Sequence, residues 1–377
     1  MSEQKKLISI ITDKDFAEKH DPPFVNPSFL SFETPLRIKS ILAYFERINL
    51  FSDKRLVKGT PIEIGEEVIQ LAHSSYLINS IKNLSNYGSG FLGDEVFITP
   101  HTFKVAKKAV GGAIRAVEDV YTGKANHSFA LIRPPGHHAI HQKSSGLCIF
   151  NNIALSILYL RDKLNITDKI AIVDIDDHFG DGLSQYFYED PNVLYFSVHE
   201  FDFMEGGIGF INEVGEGEGA GKNINYPIPN GAYDKIFLSL FDVLDPLLTQ
   251  FDPKLIIVAC GFDMYFEDPI GNCRLTTKAY YEFARTLSTL AEKVCQGKIA
   301  FILEGGYSII GLPYCVHSMI NALLGKPYVR PKFENIDFSN PNIEDEVRRI
   351  KEAVFRVLGE YWNFSREEDQ KANINPE

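Results

Sequence analysis

The chain has 377 residues, of which 45% are hydrophobic and 23% are charged, and these proportions exclude a disordered or low-complexity protein. Its formal net charge of −12 argues against a protein that binds nucleic acid directly through the phosphates. No apolar run approaches the roughly 18 residues that cross a bilayer, and the first residues are too charged for a signal peptide. We therefore expect a cytoplasmic protein without membrane contact, and we expect its five cysteines, which include no CxxC pair, to be reduced.

Short apolar runs recur along the chain, each bounded by polar or glycine-rich segments. Their lack of polar alternation is typical of parallel strands that are buried on both faces. In chain order, this pattern predicts strands at 6–11, 128–132, 170–174, 193–198, 255–259 and 299–303. Apolar residues at steps of three or four predict helices at 102–121, 153–164, 233–250, 276–294, 312–324 and 343–361.

The alternation of these elements predicts an α/β protein with a mostly parallel open sheet flanked by helices. We find no composition break and no internal repeat, so we expect a single domain over residues 1–377. The helix at 343–361 should pack on that domain, and the polar end at 365–377 should fray.

Residues that carry chemistry follow the predicted strands directly. In an open α/β sheet, ligands bind outside the carboxyl ends of the strands, so these residues should lie close together. In chain order they are His137 and His138, then Asp174, Asp176, His178 and Asp181, then His199, Asp263 and Tyr307.

Asp176 and His178 form a candidate metal site. Two residues apart in an extended segment, they point to the same side and can reach one ion. An oxygen of Asp263 would complete three protein ligands, the number that a catalytic zinc site uses beside water. The same donor set also suits Fe²⁺ or Co²⁺. The alternative is an exposed acidic loop in which an aspartate caps a helix.

The two adjacent histidines follow a rigid Arg-Pro-Pro-Gly turn, which fixes where their rings point. Asp174 and Asp181 are the obvious acceptors for their far nitrogens. A neutral imidazole beside a metal-bound water is a general base and, once charged, a general acid for an amine leaving group. Tyr307 follows a Glu-Gly-Gly turn, and its phenol could donate to a developing oxyanion. The alternative for each of these side chains is ordinary packing.

Five motifs stand in a characteristic order: RPPGHHA (133–139), GLCIFNN (146–152), DIDDHFGDG (174–182), GFDMYFEDPIG (261–271) and EGGY (304–307). With them, the chain resembles the histone deacetylase superfamily, which has the arginase–deacetylase fold, over residues of about 20–327. The resemblance implies a zinc-dependent amidohydrolase that removes an acetyl or other acyl group from an amine. We expect the substrate to be a protein acyl-lysine, with an acetylpolyamine or another small metabolite as the alternative. The resemblance also admits a homo-oligomer.

The resemblance assigns a role to each candidate residue. Asp176, His178 and Asp263 would bind the metal, and Tyr307 would polarise the acyl carbonyl. His138, backed by Asp181, would be the general base and then the acid, while His137, backed by Asp174, would hold the attacking water. The acyl-chain tunnel would be lined by Gly146 and Leu147, and its mouth by Phe203 and Met204. A structural K⁺ or Na⁺ would lie near Asp174, Asp176, His178 and Ser197. Arg37 would lie beneath the active site.

Asp177 departs from the family pattern. It stands where an aliphatic residue is common, and we expect its side chain to point away from the metal.

Two other functions remain open at this point. An arginase-like ureohydrolase with two manganese ions would need a second aspartate two residues after Asp263, where this chain has Tyr265. A catalytically inactive acyl-lysine binding module would be expected to lack a metal ligand or Tyr307, and this chain has them all.

Overall fold

The computed structural model describes residues 6–23, 31–93 and 95–364. Within this part of the chain, short strands rich in Ile, Val and Phe form one large sheet and one small antiparallel pair. The strands are β1 (Ile8–Ile11), β2 (Leu56–Gly59), β3 (Gly90–Phe91), β4 (Phe97–Ile98), β5 (His127–Ala130), β6 (Ile170–Asp174), β7 (Val193–Glu200), β8 (Asn223–Ile228), β9 (Leu255–Cys260) and β10 (Ile299–Leu303).

Helices occupy most of the chain between the strands. They are α1 (Lys14–Glu18), α2 (Leu36–Arg47), α3 (Glu66–Ile69), α4 (Ser75–Tyr87), α5 (Thr102–Tyr121), α6 (Asn152–Leu164), α7 (Asp181–Phe187), α8 (Asp234–Leu238), α9 (Phe241–Phe251), α10 (Thr277–Cys295), α11 (Gly311–Leu323) and α12 (Pro341–Leu358). None of the described helices is long and apolar enough to span a membrane.

The large sheet is parallel throughout, with the strand order β2-β1-β5-β10-β9-β6-β7-β8. Every residue of β6, β9 and β10 is buried, because helices cover both faces of the sheet. The predicted fold class, a single α/β domain with a mostly parallel sheet flanked by helices, is confirmed.

The prediction missed both edges of the sheet. β2 contains Lys58 and Gly59, and β8 contains two asparagines and Pro227, so neither reads as an apolar run. Polar residues and proline are tolerated in such positions because an edge strand has an unpaired side.

The helix predicted at 233–250 is two helices. Ser239 ends α8, where its hydroxyl donates to the carbonyl of Ile236 at 2.6 Å, and α9 starts two residues later. The last helix begins at Pro341 and ends at Leu358, and it buries Val347 and Ile350 against the domain. The predicted frayed end, 365–377, lies outside the described residues.

The five cysteines are free, and all of them are buried.

Candidate active site

The strand order explains how distant parts of the sequence meet. β5, β10, β9 and β6 are neighbours in the sheet and run parallel, so the segments that follow them leave at the same edge. These four segments carry His137 and His138, Tyr307, Asp263, and the pair Asp176 and His178.

The three predicted metal ligands do converge. His178 Nδ1 lies 3.2 Å from Asp176 Oδ1 and 3.3 Å from Asp263 Oδ2. Asp176 and Asp263 are almost fully buried, yet Asp263 Oδ2 has no hydrogen-bond partner among the described residues. A divalent cation would satisfy this oxygen, so the residues present fit a metal ion of the zinc class.

Glycines make room for this convergence. A Cβ on Gly305 would lie 2.2 Å from Asp263 Oδ2 and 2.6 Å from Asp176 Oδ2. Without that side chain, the backbone N–H of Gly305 donates to Asp176 Oδ2 at 2.8 Å. Gly305, the first glycine of the EGGY motif, thus orients Asp176 and leaves space for the carboxylates of both Asp176 and Asp263.

The charges of the ligands are strongly coupled. Burial opposes ionisation of Asp176, but His137 and His178 hold the pKa of its carboxyl well below its usual range. Burial and the nearby Asp176 raise the pKa of Asp263. The buried carboxylate of Asp263 therefore needs a positively charged partner to stay ionised.

Each of the adjacent histidines has a carboxylate behind it. His138 Nδ1 donates to Asp181 Oδ1 at 2.7 Å, which leaves Nε2 facing the cavity as the free nitrogen. His137 Nδ1 lies 3.3 Å from Asp174 Oδ2. This arrangement matches the predicted pairing of the two histidines with Asp181 and Asp174.

The two rings, 4.0 Å apart between centroids, differ in their electrostatics. Burial opposes protonation of His137, but the carboxylates of Asp176 and Asp174 outweigh it and raise its pKa to about 10. Burial and the neighbouring charge of His137 lower the pKa of His138. A neutral His138 next to a charged His137 is the state in which His138 can accept a proton.

A cavity of about 310 Å³ opens over these residues. Gly146, Leu147 and Tyr307 line it, together with Pro135 and Ile270, which the sequence did not single out. Leu147 and Tyr307 pack with Ile270, so the wall above the polar floor is apolar.

Phe203 and Met204 do not line this cavity. Phe203 packs on Phe201 at 5.1 Å between ring centroids and on Phe210 at 6.5 Å. Met204 is 94% exposed. The aromatic contacts inside the loop after β7 hold Phe203 away from the cavity.

Tyr307 is held from two sides. Its backbone N–H donates to Asp268 Oδ2 at 2.6 Å, and the guanidinium of Arg37 lies 4.7 Å from its ring centroid. Arg37 is fully buried and donates to the carbonyl of Gly306 at 2.7 Å. Burial raises the pKa of the Tyr307 phenol well above its usual value, so the hydroxyl stays a donor.

Glu304 also supports the site, and sequence analysis missed its role. Its Oε2 accepts hydrogen bonds from the backbone N–H groups of Gly136 at 2.6 Å and His137 at 3.1 Å. This carboxyl joins the turn before the histidines to the end of β10. Its position directly after a strand was the signal that could have identified it.

The residues proposed for a monovalent cation lie together. β6 and β7 pair in parallel with Asp174 opposite Ser197, and the backbone N–H of Asp176 donates to Asp174 Oδ1 at 3.2 Å. The hydroxyl of Ser197 is 2.8 Å from Nδ1 of His199, which is fully buried.

Comparison with known proteins identifies the family of the chain. Residues 31–323 match the histone deacetylase domain family. A probable deacetylase from Archaeoglobus fulgidus is 35% identical over 278 residues, which cover 73% of this chain and 76% of that protein. A histone deacetylase-like amidohydrolase from Pseudomonas aeruginosa is 30% identical over 85% of this chain and 84% of its own length.

The fold has a close match among solved structures. The crystal structure of the HDA15 HD domain superposes with a TM-score of 0.84 at 26% sequence identity, covering 99% of this chain and 100% of that one. The chain therefore belongs to the histone deacetylase superfamily, whose members share the arginase–deacetylase fold, and it is a deacetylase, which is a hydrolase.

Proposed function

We propose that the protein hydrolyses the amide bond of an acyl-lysine, releasing the carboxylic acid and the free amine, with a zinc ion held by Asp176, His178 and Asp263. One observation carries this proposal: Asp176 and His178 line one cavity with Tyr307 and the carboxylate-backed His138, and Asp263 lies against the first two. Zinc at this point would polarise the acyl carbonyl and lower the pKa of the attacking water. The donor set would also accept Fe²⁺ or Co²⁺.

His138 moves the proton in this proposal. Its Nε2 takes the proton of the attacking water and then gives it to the departing amine. Asp181 Oδ1 accepts a hydrogen bond from His138 Nδ1 at 2.7 Å, which keeps Nδ1 protonated, and its charge stabilises the imidazolium that forms. His137, whose ring lies beside the carboxylates of Asp174 and Asp176, orients the water from the other side.

Tyr307 would stabilise the developing oxyanion. Its hydroxyl belongs to a ring that Arg37 and Leu147 pack around, so it needs little reorganisation during the reaction. A preorganised donor of this kind acts more strongly on the oxyanion than on the neutral carbonyl.

The apolar wall supports acyl-lysine over an acetylpolyamine. Leu147 and Ile270 would contact the substrate chain next to the amide. The neutral methylenes of a lysine side chain suit that surface, whereas a protonated secondary amine would lose hydration in contact with it. Glu95 lines the cavity too, so an amine that reached it would find an anionic partner, which keeps the polyamine as the second candidate.

We further propose that a K⁺ or Na⁺ ion near Asp174, Asp176, His178 and Ser197 supports the site from below. The pairing of Asp174 with Ser197 across β6 and β7 supports this assignment. We treat residues 1–377 as one deacetylase domain that includes α12. A cytoplasmic location, the absence of direct nucleic-acid binding and assembly into a homo-oligomer stay predictions from the sequence.

The direct test is hydrolysis of a substrate panel: acetyl-lysine peptides, acetylpolyamines and longer acyl-lysines. We expect release of acetate from acetyl-lysine peptides, inhibition by a hydroxamate, and loss of activity on chelation that added zinc restores. Faster turnover of acetylpolyamines than of acetyl-lysine peptides would make an acetylpolyamine the proposed substrate instead. Hydrolysis that neither hydroxamates nor strong chelators affect would contradict the metal mechanism.

A further inference from the structure

Three side chains next to the active site take no part in the proposed reaction. Asp177 follows β6, Glu200 is the last residue of β7, and Cys273 lies in the segment between β9 and α10. One carboxylate oxygen of each acid and the thiol sulfur lie within 4.8 Å of one another. We call these three residues the acidic–thiol cluster.

The cluster consists of side chains other than the catalytic ligands. Asp177 does not line the catalytic cavity, although Asp176 and His178 on either side of it do. With Glu200 and Asn272 it lines an adjoining surface groove of about 660 Å³, which also reaches His178 and gives solvent access to the cluster.

Backbone contacts fix the three residues relative to one another. The backbone N–H of Glu200 donates to the carbonyl of Asp177 at 2.8 Å, and the side-chain amide of Asn272 donates to both carboxylate oxygens of Glu200 at 3.2 Å. A Cβ on Gly271 would lie 2.1 Å from the carbonyl oxygen of Asp263 and 2.9 Å from Asp177 Oδ2. Only glycine allows this loop to bring Cys273 so close to the end of β6.

Two members of the cluster, Asp177 and Cys273, are buried. Asp177 is 3% exposed and Cys273 is 2% exposed. Asp177 Oδ1 is buried without a hydrogen-bond partner, and neither Asp177 nor Glu200 forms an ion pair with Lys or Arg in the described part of the chain. Burying the carboxylate of Asp177 in this way is costly unless a proton or a cation compensates it.

We propose that the acidic–thiol cluster binds a second divalent transition-metal ion of the zinc class. A thiolate with two carboxylates is a donor set for zinc or cobalt, whereas Mg²⁺ and Ca²⁺ require oxygen ligands in larger number. The fourth position faces the groove, where water can occupy it. Cys273 releases its proton to solvent when the ion binds.

Such an ion would connect the end of β7 to the segment after β9. That segment also carries Asp263, whose Oδ1 accepts the backbone N–H of Asp177 at 3.0 Å. The second ion would therefore hold in place the backbone from which the catalytic ligands project.

Cobalt gives a readout that separates the two sites. The catalytic ligands are two aspartates and a histidine, so Co²⁺ bound there has no sulfur ligand. Co²⁺ in the acidic–thiol cluster would show a near-ultraviolet thiolate-to-cobalt charge-transfer band. We expect the metal-free full-length protein to bind two Co²⁺ ions per chain and to show this band.

Variants assign the band to its cysteine. Cys273→Ser should lower the stoichiometry to one ion and abolish the band. Cys148→Ser is the matched control and should keep the band. The sulfur of Cys148 also lies within 4.8 Å of two possible ligand atoms, those of His137 and Glu304. Asp263→Ala should also bind one ion, and it should keep the band.

A further variant tests the proposal independently, in case Cys273→Ser does not fold. Glu200→Gln keeps the shape of the side chain and removes one charge, and it should weaken the affinity of the band-forming site by about tenfold. A wild-type stoichiometry of one, or no band, would overturn the proposal in favour of a protonated Asp177. A band that survives Cys273→Ser, or one that Glu200→Gln leaves at the wild-type affinity, would overturn it as well.

Discussion

Asp268 Oδ2 accepts a hydrogen bond from the backbone N–H of Tyr307 at 2.6 Å, and a second one from Ser308 at 2.9 Å. Burial and the nearby carboxylate of Asp263 raise the pKa of Asp268 to about 7. The tyrosine follows Gly306, whose φ of +102° a side chain would strain, so the turn is shaped for one position of the ring. Asp268 thus positions Tyr307 through its backbone and does not contact the cavity.

Asp268→Ala should lower turnover by about ten- to a hundredfold while KM and metal content change little, because Tyr307 loses its position but not its hydroxyl. Asp268→Asn keeps one acceptor oxygen and should recover part of the lost turnover. Steady-state kinetics of the two variants on an acetyl-lysine peptide give the answer. Parental turnover in Asp268→Ala would remove Asp268 from this positioning role.

Asp263→Ala should abolish binding at the catalytic metal site without unfolding the chain. It removes one of two anionic ligands, and what remains is too weakly charged to hold a divalent ion. Metal analysis and thermal unfolding of the purified variant measure the two effects. A catalytic site that retains its ion at full occupancy would show that Asp263 is not a ligand.

Asp181→Asn should lower turnover by roughly 10²–10⁴-fold, the range that general acid–base catalysis contributes. The amide can offer an N–H to His138 Nδ1 in place of a carboxylate oxygen, which would move the ring proton to the nitrogen that must be free. The control is metal content, which should equal that of the parent because Asp181 is not a ligand. Turnover within a factor of about two of the parent would mean that His138 is not the proton carrier.

Acid should destabilise the fold through His73. This ring is held neutral, since Nδ1 donates to the carbonyl of Ile140 at 3.0 Å and Nε2 accepts the backbone N–H of Asn151 at 2.9 Å. Burial lowers the pKa of His73 to about 4. Between pH 6.5 and 4, the unfolded chain binds a proton that the folded chain does not, so the free energy of unfolding falls as pH falls.

The whole effect of His73 amounts to about 3 kcal/mol across that interval. Urea unfolding at several pH values should show that His73→Gln takes up about one proton fewer on unfolding than the parent. Any constant destabilisation by the substitution cancels, because only the dependence on pH is compared. Equal proton uptake in both proteins would contradict the assignment of a buried neutral His73.

The candidate catalytic residues could be predicted because they follow strands that are recognisable by their apolar runs. Asp174 ends β6, Asp263 follows β9, and Tyr307 lies in the segment after β10. The edge strands could not be predicted, since an edge admits polar residues and proline. The role of Asp268 could not be predicted either, because it binds a backbone N–H, and no sequence pattern marks which one.

The tunnel mouth was also beyond prediction. Which side of the loop after β7 faces the cavity depends on Phe203 packing with Phe201 and Phe210. Such packing follows from the folded loop and not from the order of its residues. The position of Ile270 in the cavity wall also depends on the folded segment. Asp268 accepts the backbone N–H of Ile270 at 3.0 Å and so bends the segment.

The measurement that tests the account most directly is turnover of Tyr307→Phe on its best acyl-lysine substrate, with metal content determined on the same sample. The substitution keeps the ring, its packing against Leu147 and its contact with Arg37, and it removes one hydroxyl. We predict that turnover falls by about 10²–10³-fold, equivalent to about 3–4 kcal/mol of barrier, while substrate binding, metal content and thermal stability stay near the parent's. Near-parental turnover in this variant would contradict the proposed role of Tyr307 and, with it, the proposed mechanism of amide hydrolysis at this site.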